Sequence, residues 1–361
     1  MSARTILFTG FPGFIGSRLI PLLLDQDPEA TVVALVEPRM VERARAAAAE
    51  LGRGERIRIQ PGDITLPRLG LDEPTYRALA DETIAVHHLA AIYDLAVPEA
   101  LAERVNVEGT QNVLDLCRDA PRLERHNYVS TAYVAGLRRG TVLESELVAG
   151  QGFKNHYEST KFAAEVLVRA SMDEIPTTIY RPGIVVGDSR TGATQKFDGP
   201  YYLLRTIAAA RRFGGLLIEP GRMTAPMNVV PVDFIVDAIA AGAVDPSFAG
   251  ETLHLVDPAP VTSGELYRLF SRAYAAREPT LRLPGPLVDQ ALRLRPVRTL
   301  FGGTPRESLR YLRHEVRYDT TRATELLGAR GLRCPSVAEY VEPLVAFFRE
   351  HEDDPRYAPA H

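Results

Sequence analysis

Cysteine is scarce in this 361-residue chain: Cys117 and Cys334 stand far apart, with no metal-type spacing between them. That scarcity fits a reducing compartment and two buried free thiols. A cationic excess is missing as well. Lys+Arg number 42 against 46 Asp+Glu, for a formal net charge of −4 with both signs interspersed, so nothing resembles the basic stripe of a nucleic-acid binder. Long hydrophobic runs are absent. The longest apolar stretches, 19–24 and 239–244, fall far short of the ~20 residues that span a bilayer. No secretory leader is visible, because the N-terminus passes almost directly into the apolar run 5–9. A soluble, cytoplasmic chain is the expectation. The eight histidines show no metal-ligand spacing, so no metal is expected, and no repeat or low-complexity segment stands out.

What is present is an alternation. Short, largely apolar β-branched runs at 5–8, 31–36, 57–61, 83–89, 126–130 and 177–180 read as strands. Helical patterns at 16–25, 41–51, 101–119 and 156–171 fall between them. Such alternation predicts an α/β fold, a doubly wound parallel sheet covered by helices on both faces. Strands buried on both faces lose the polar–apolar alternation; 57–61 keeps some of it and is placed nearer an edge. The second half is less regular. Residues 181–222 read as Gly/Pro-rich loops around one helix at 201–211, 228–241 as a loop or strand feeding a helix, and 251–256 as a further strand. The layout predicts a nucleotide-binding domain over 1–182 and 226–262. A smaller, discontinuous substrate-binding region then takes 183–225 and 263–361.

Thr9, Gly10, Phe11, Pro12, Gly13, Phe14, Ile15 and Gly16 follow the first strand and open the first helix. Glycines there allow a tight turn, close approach of a pyrophosphate to the backbone, and helix–strand packing. The helix N-terminus then offers free N–H groups to phosphates. The spacing is Gly-x-x-Gly-x-x-Gly, and the strand–helix–strand context gives it meaning. Glu37 ends the second strand about 20 residues on, where a carboxylate accepts from ribose hydroxyls. A 2′-phosphate ~5 Å away would be repelled by roughly 3 kcal/mol per unit charge at intermediate dielectric. Arg39 relieves that repulsion, so Glu37 points to NAD and Arg39 to NADP, and the choice stays open. Asp63 reads equally as a contact to adenine and as a turn or N-cap residue.

Tyr157 and Lys161 sit at i and i+4 on one helix face. A phenol with a pKa near ~10 is a poor proton shuttle at neutral pH, and a neighbouring ammonium is expected to lower it. Tyr157 then exchanges a proton with the substrate oxygen while hydride moves at carbon. Lys161 is also placed to hold the nicotinamide ribose. Ser130 and Thr131 end the fifth strand at the sheet edge where open α/β folds bind ligands; Thr131 is the catalytic hydroxyl, with Ser130 the fallback. Asn106 reads better as a cap or kink residue than as part of a proton relay. His87 and His88 are adjacent on a strand and must face opposite ways. His156 is expected at the surface.

The motifs TGFPGFIG (9–16), GDIT (62–65), HHLAAIYD (87–94), NVEGTQN (106–112), YVSTAYVAG (128–136), YESTK (157–161), YRPGIVVGDSRTG (180–192), FDGPYYLL (197–204) and NVVPVDFIVDAI (228–239) run in the order of one family. The chain resembles the extended short-chain dehydrogenases/reductases, and within them the fatty acyl-CoA reductase and thioester reductase, or male sterility, branch. The resemblance implies a Rossmann domain, NAD(P)(H), and Thr131, Tyr157 and Lys161 as catalytic residues. It places Ile64, Leu89, Ala90, Ala91, Asn106, Ser130, Pro182, Gly183 and Ile184 along the cofactor. It also implies an acyl thioester or lipophilic aldehyde or alcohol as substrate, and a homodimer. Glu37 departs from the basic residue usual in the acyl reductases. Two other readings remain: a sugar-nucleotide epimerase or dehydratase using Arg205, Arg211 and Arg212, and a non-catalytic dinucleotide sensor. Residues 284–303 read as an amphipathic lid for a lipid substrate or, more readily, as an exposed helix.

Overall fold

The computed structural model describes residues 4–93, 97–212, 216–220, 223–283, 290, 311 and 314–358. The proposed lid at 284–303 lies, apart from residue 290, outside them.

Seven strands form one sheet. They are β1 (Arg4–Thr9), β2 (Ala30–Val36), β3 (Ile57–Pro61), β4 (Thr83–His88), β5 (Arg125–Val129), β7 (Thr177–Pro182) and β11 (Thr252–Leu255). The spatial order is β11-β7-β5-β4-β1-β2-β3, with every neighbouring pair parallel. The expected doubly wound sheet is therefore the observed one. β3 forms an edge, as its half-exposed pattern suggested. Chain order reverses between β1 and β4, and in open parallel sheets the crevice at such a reversal, beyond the strands' C-terminal ends, is where ligands bind.

Period-two alternation builds both cores. Phe8 and Val32 join Leu19 and Leu23 of α1 (Gly16–Gln26) and Ile235 and Ile239 of α8 (Val232–Val244) on one face. Leu7 and Val33 turn to the other. There they meet Leu79 of α3 (Glu73–Glu82), Val113 of α5 (Gly109–Asp119) and Val168 of α6 (His156–Ala170). α2 (Val41–Glu50) follows β2. α3 was not legible among Pro67, Gly70 and Pro74; it is started by the Asp72 carboxylate, which accepts from Thr75 N at 2.8 Å.

The expected helix over 101–119 is interrupted. α4 (Glu99–Ala102) passes into a π-helical turn, Glu103–Glu108, before α5 resumes. Such widened turns are rare and gather at functional sites. Here the turn carries Asn106.

Three short strand pairs lie outside this sheet. β6 (Gly140–Val142) pairs with β13 (Val316–Tyr318), β8 (Ile184–Val186) with β10 (Val229–Pro231), and β9 (Ile218–Pro220) with β12 (Leu281–Leu283). α7 (Tyr201–Arg212), α9 (Ser263–Ala275) and α11 (Val337–His351) share a second core containing Leu204, Phe270, Leu344 and Phe348. α10 (Thr321–Gly328) instead places Ala323, Leu326 and Leu327 in the core against α1 and α8. No helix among the described residues is long and apolar enough to cross a membrane.

Candidate active site

A cavity of about 1370 Å³ opens at the C-terminal edge of β1, β4, β5 and β7. It exceeds the roughly 300–1,000 Å³ of ordinary small-molecule pockets. Its wall includes residues 10–16, Glu37, Arg39, Asp63, Ile64, Leu89, Ala90, Ala91, Ser130, Thr131, Tyr157, Lys161, Pro182, Gly183 and Ile184. Of the residues expected to hold a cofactor, Thr9 and Asn106 are not on that wall. Both are buried behind it and hold the loop after β4. Thr9 Oγ1 accepts from Ala90 N at 3.2 Å, and Asn106 Oδ1 accepts from Ile92 N at 2.9 Å. Asn106 Nδ2 also donates to Thr160 Oγ1 at 3.0 Å, tying the π-turn to α6.

The glycine cradle closes on itself. Gly13 N donates to Gly10 O at 2.9 Å, and Gly10 has a φ of +90°. A Cβ on Gly13 would fall 2.6 Å from Gly10 O, and one on Gly10 would fall 2.8 Å from the Leu89 carbonyl carbon. α1 starts with no side-chain cap and no acidic residue in its first turn. An uncapped helix N-terminus behind a side-chain-free loop fits a pyrophosphate, which its amides and dipole attract. At the far end Arg39 Nε meets Glu37 Oε1 at 2.6 Å, so the carboxylate that would repel a 2′-phosphate is already engaged by a guanidinium. Asp63 makes a turn: its Oδ1 accepts from Thr65 N at 2.8 Å while the residue lines the cavity.

At the reacting end, α6 begins on Asn155, whose side chain accepts from Glu158 N at 3.0 Å. That cap fixes the start of the helix and places Tyr157 beside the end of β5, where the Thr131 hydroxyl is a near neighbour of its phenol. The expectation that Lys161 makes this phenol acidic is corrected here. Burial pushes Tyr157 up to about 12, against the influence of the neighbouring Thr131 hydroxyl, which lowers it. Lys161 turns elsewhere. Its Nζ donates to Tyr128 Oη at 2.9 Å and to Val129 O at 2.8 Å, lying 4.4 Å from the Tyr128 ring centre. Burial pulls Lys161 down to about 7, with Glu165 opposing.

A hydrogen-bonded chain runs on from β4. Thr110 Oγ1 donates to Asn106 O at 2.7 Å, so at His88 Nε2, 3.0 Å away, it must accept. Burial holds His88 neutral. Its Nδ1 is therefore the acceptor, and Thr9 Oγ1 donates to it at 2.7 Å. His87 lies on the opposite face, stacked on Phe8, as adjacency on a strand requires. His156 is half exposed, 3.9 Å from Glu99.

Sequence reasoning missed the charges beneath the site. Arg181 and Glu165 are both fully buried and paired at 2.6 Å, and Ser130 Oγ donates to the same carboxylate at 2.6 Å. Arg181 lies beside Pro182-Gly183, and a lone Arg inside an otherwise uncharged strand was the available signal. A second buried pair, Lys154 with Glu158 at 3.1 Å, stands next to Tyr157 and takes a hydrogen bond from Tyr311 Oη at 2.8 Å. The chain has 39 arginines and only three lysines. Lys154, Lys161 and Lys196 all stand at this site, the last on the cavity wall. Arg205 and Arg211, which a diphosphate pocket would need, are not among the lining residues.

Comparison with known proteins bears on this geometry. The family model described as male sterility protein matches residues 8–239. Glycine betaine reductase of Emericella nidulans is 29% identical over 286 residues, which are 73% of this chain and 22% of that protein. The large subunit of L-2-aminoadipate reductase from Penicillium chrysogenum is 28% identical over 274 residues, 69% of this chain and 19% of that protein. The chain thus spans about a fifth of these relatives' length. Among solved structures, the terminal R domain from the myxalamid PKS-NRPS biosynthetic pathway is 28% identical with a TM-score of 0.81, covering 98% of this chain and 92% of that one. UDP-glucuronic acid 4-epimerase from Bacillus cereus in complex with NAD, 19% identical with a TM-score of 0.67 over 98% and 99% of the chains, shares the fold. A family match over more than half the sequence, laid on the sheet and cradle just described, makes this chain a member of the male sterility protein family and an NAD(P)-dependent reductase of the extended short-chain dehydrogenase/reductase type.

Proposed function

We propose that the chain reduces the carbonyl of an acyl thioester or an aldehyde. One observation carries this reading: the hydroxyls of Thr131 and Tyr157 neighbour each other on the wall of the same cavity that holds the glycine cradle. Two donors converging on one point suit an oxygen that gains negative charge. The cofactor supplies hydride to the carbonyl carbon. Thr131 and Tyr157 hold the carbonyl oxygen, and Tyr157 delivers its proton as the charge develops. A phenol held near 12 is fully protonated at neutral pH, which suits the reductive direction. With a thioester, collapse of the resulting hemithioacetal releases a thiol and an aldehyde. Lys161 would hold the nicotinamide ribose, and residues 10–16 the pyrophosphate. The Glu37–Arg39 pair is compatible with either NAD or NADP.

α7, backed by α9 and α11, lies on the substrate side. Thr194, Lys196, Tyr202 and Leu203 carry the cavity beyond Tyr157. The test is oxidation of NADH and NADPH by purified chain with acyl-CoAs, N-acetylcysteamine thioesters and aldehydes. Turnover of any of these with release of free thiol or alcohol is the expected result; tight cofactor binding with no turnover across the panel would overturn the reading.

A further inference from the structure

The substrate end of the cavity carries a charge that pairs with no cation among the described residues. Asp198 lines it and is mostly removed from solvent. Among the described residues its carboxylate meets no donor except its own backbone amide. Burial raises its proton affinity, and Lys196, two residues away on the same wall, offsets this only in part. The two side chains form no ion pair: they sit near each other and both face the cavity. A carboxylate left half-buried without a partner is unfavourable unless a ligand supplies one.

Its surroundings are aromatic. Asp198, Tyr157, Tyr133 and Tyr202 all lie within electrostatic range of the Tyr93 phenol. Tyr93 is 53% exposed, an uncommon state for a large ring, and packs edge-on against Tyr157 with centroids 5.6 Å apart. Tyr202 is buried in α7 and lines the same cavity. Aromatic rings beside a carboxylate make the composition that recognises organic cations, through the ring quadrupole and the opposite charge together.

We propose that Asp198, flanked by Tyr93 and Tyr202, forms a subsite for a quaternary or protonated amine carried by the acyl part of the substrate, close to the carbonyl that Tyr157 protonates. This rests on the reductase reading and narrows it from a lipophilic acyl chain to a cationic one. Lys196, on the same wall, keeps the unpaired carboxylate tolerable.

Binding and turnover separate the two claims. Choline and 3,3-dimethylbutan-1-ol are near-isosteres that differ in charge, as are trimethylammonioacetaldehyde and 3,3-dimethylbutanal. With the full chain and bound NADP(H) or NAD(H), choline should bind at least tenfold more tightly than its neutral isostere by ligand-observed NMR. The cationic aldehyde should show at least tenfold higher kcat/KM. Asp198→Asn should collapse both ratios toward one, and Tyr93→Leu should reduce them. Equal binding, preference for the neutral isosteres, or a ratio that survives Asp198→Asn would overturn the subsite. Choline preference without reduction of either aldehyde or their thioester counterparts would uphold the subsite and count against the reductase reading. Should Asp198→Asn not fold, the wild-type isostere ratios decide alone.

Discussion

Lys161 Nζ reaches Tyr128 Oη at 2.9 Å rather than the Tyr157 phenol. The two groups of the Tyr-x-x-x-Lys pair are thus tuned separately, both by burial: the phenol upward to about 12, the ammonium downward to about 7. In the reductive direction Tyr157 must be protonated and Lys161 is most useful charged. kcat/KM for reduction is therefore expected to fall as pH rises through about 7, with no further break from Tyr157 below pH ~10. Tyr128→Phe removes the hydroxyl that accepts from the ammonium and should move the break to lower pH. A profile flat from pH 6 to 9 in the wild type would refute this assignment.

Removing the phenol oxygen should leave a site that binds but does not turn over. Tyr157→Phe is expected to lower kcat by about 10²–10⁴-fold, and Thr131→Ala by about 10²–10³-fold. Cofactor affinity, read by quenching or enhancement of nicotinamide fluorescence, should move little in either. A Tyr157→Phe enzyme with near-normal kcat would point to a different acid.

The cradle makes a steric prediction. A methyl group at residue 13 meets Gly10 O at 2.6 Å, so Gly13→Ala must open the turn. Dinucleotide Kd should rise at least about tenfold, equivalent to ~1.4 kcal/mol, while the fold stays intact by circular dichroism. An unchanged Kd would show that the phosphates rest elsewhere.

Arg39→Ala should separate the two cofactors. It leaves the Glu37 carboxylate uncompensated at the wall. Affinity for NADP(H) is expected to drop by about ten- to a hundredfold relative to NAD(H), from the repulsion of like charges. Parallel losses for both cofactors would mean that Arg39 reads something common to them.

Beneath the site, Glu165→Gln strands the fully buried Arg181 guanidinium. Breaking one side of a buried pair costs about 3–5 kcal/mol, so urea unfolding should show a large fall in midpoint. Arg181→Met added to it should recover part of that loss. A change under about 0.5 kcal/mol would show that the pair is incidental to stability.

How much of this was readable beforehand follows from range. β1, β2 and β4 announce themselves through short apolar runs, and the glycines after β1 through spacing, because both signals are local. Tyr157 and Lys161 were legible as a pair for the same reason. Their protonation was not, since it is set mainly by the burial that the fold imposes on both groups. α3 was hidden because Pro67, Gly70 and Pro74 read as loop, although Pro74 sits in the first turn where a missing N–H does no harm. The π-turn at Glu103–Glu108 leaves no mark at the level of periodicity. Glu165 and Arg181 look like ordinary helix and strand charges until packing encloses both.

Lysine's near-absence from the chain gives the site an unplanned address. A primary amine that loses its proton near neutrality is nucleophilic at a pH where exposed amines are not. Apart from the amine at the chain terminus, an acylating reagent finds Lys154 tied to Glu158, and Lys161 and Lys196 on the cavity wall. Nearly everything such a reagent modifies would therefore report on the catalytic crevice, so a single mass measurement with and without dinucleotide becomes a footprint of occupancy.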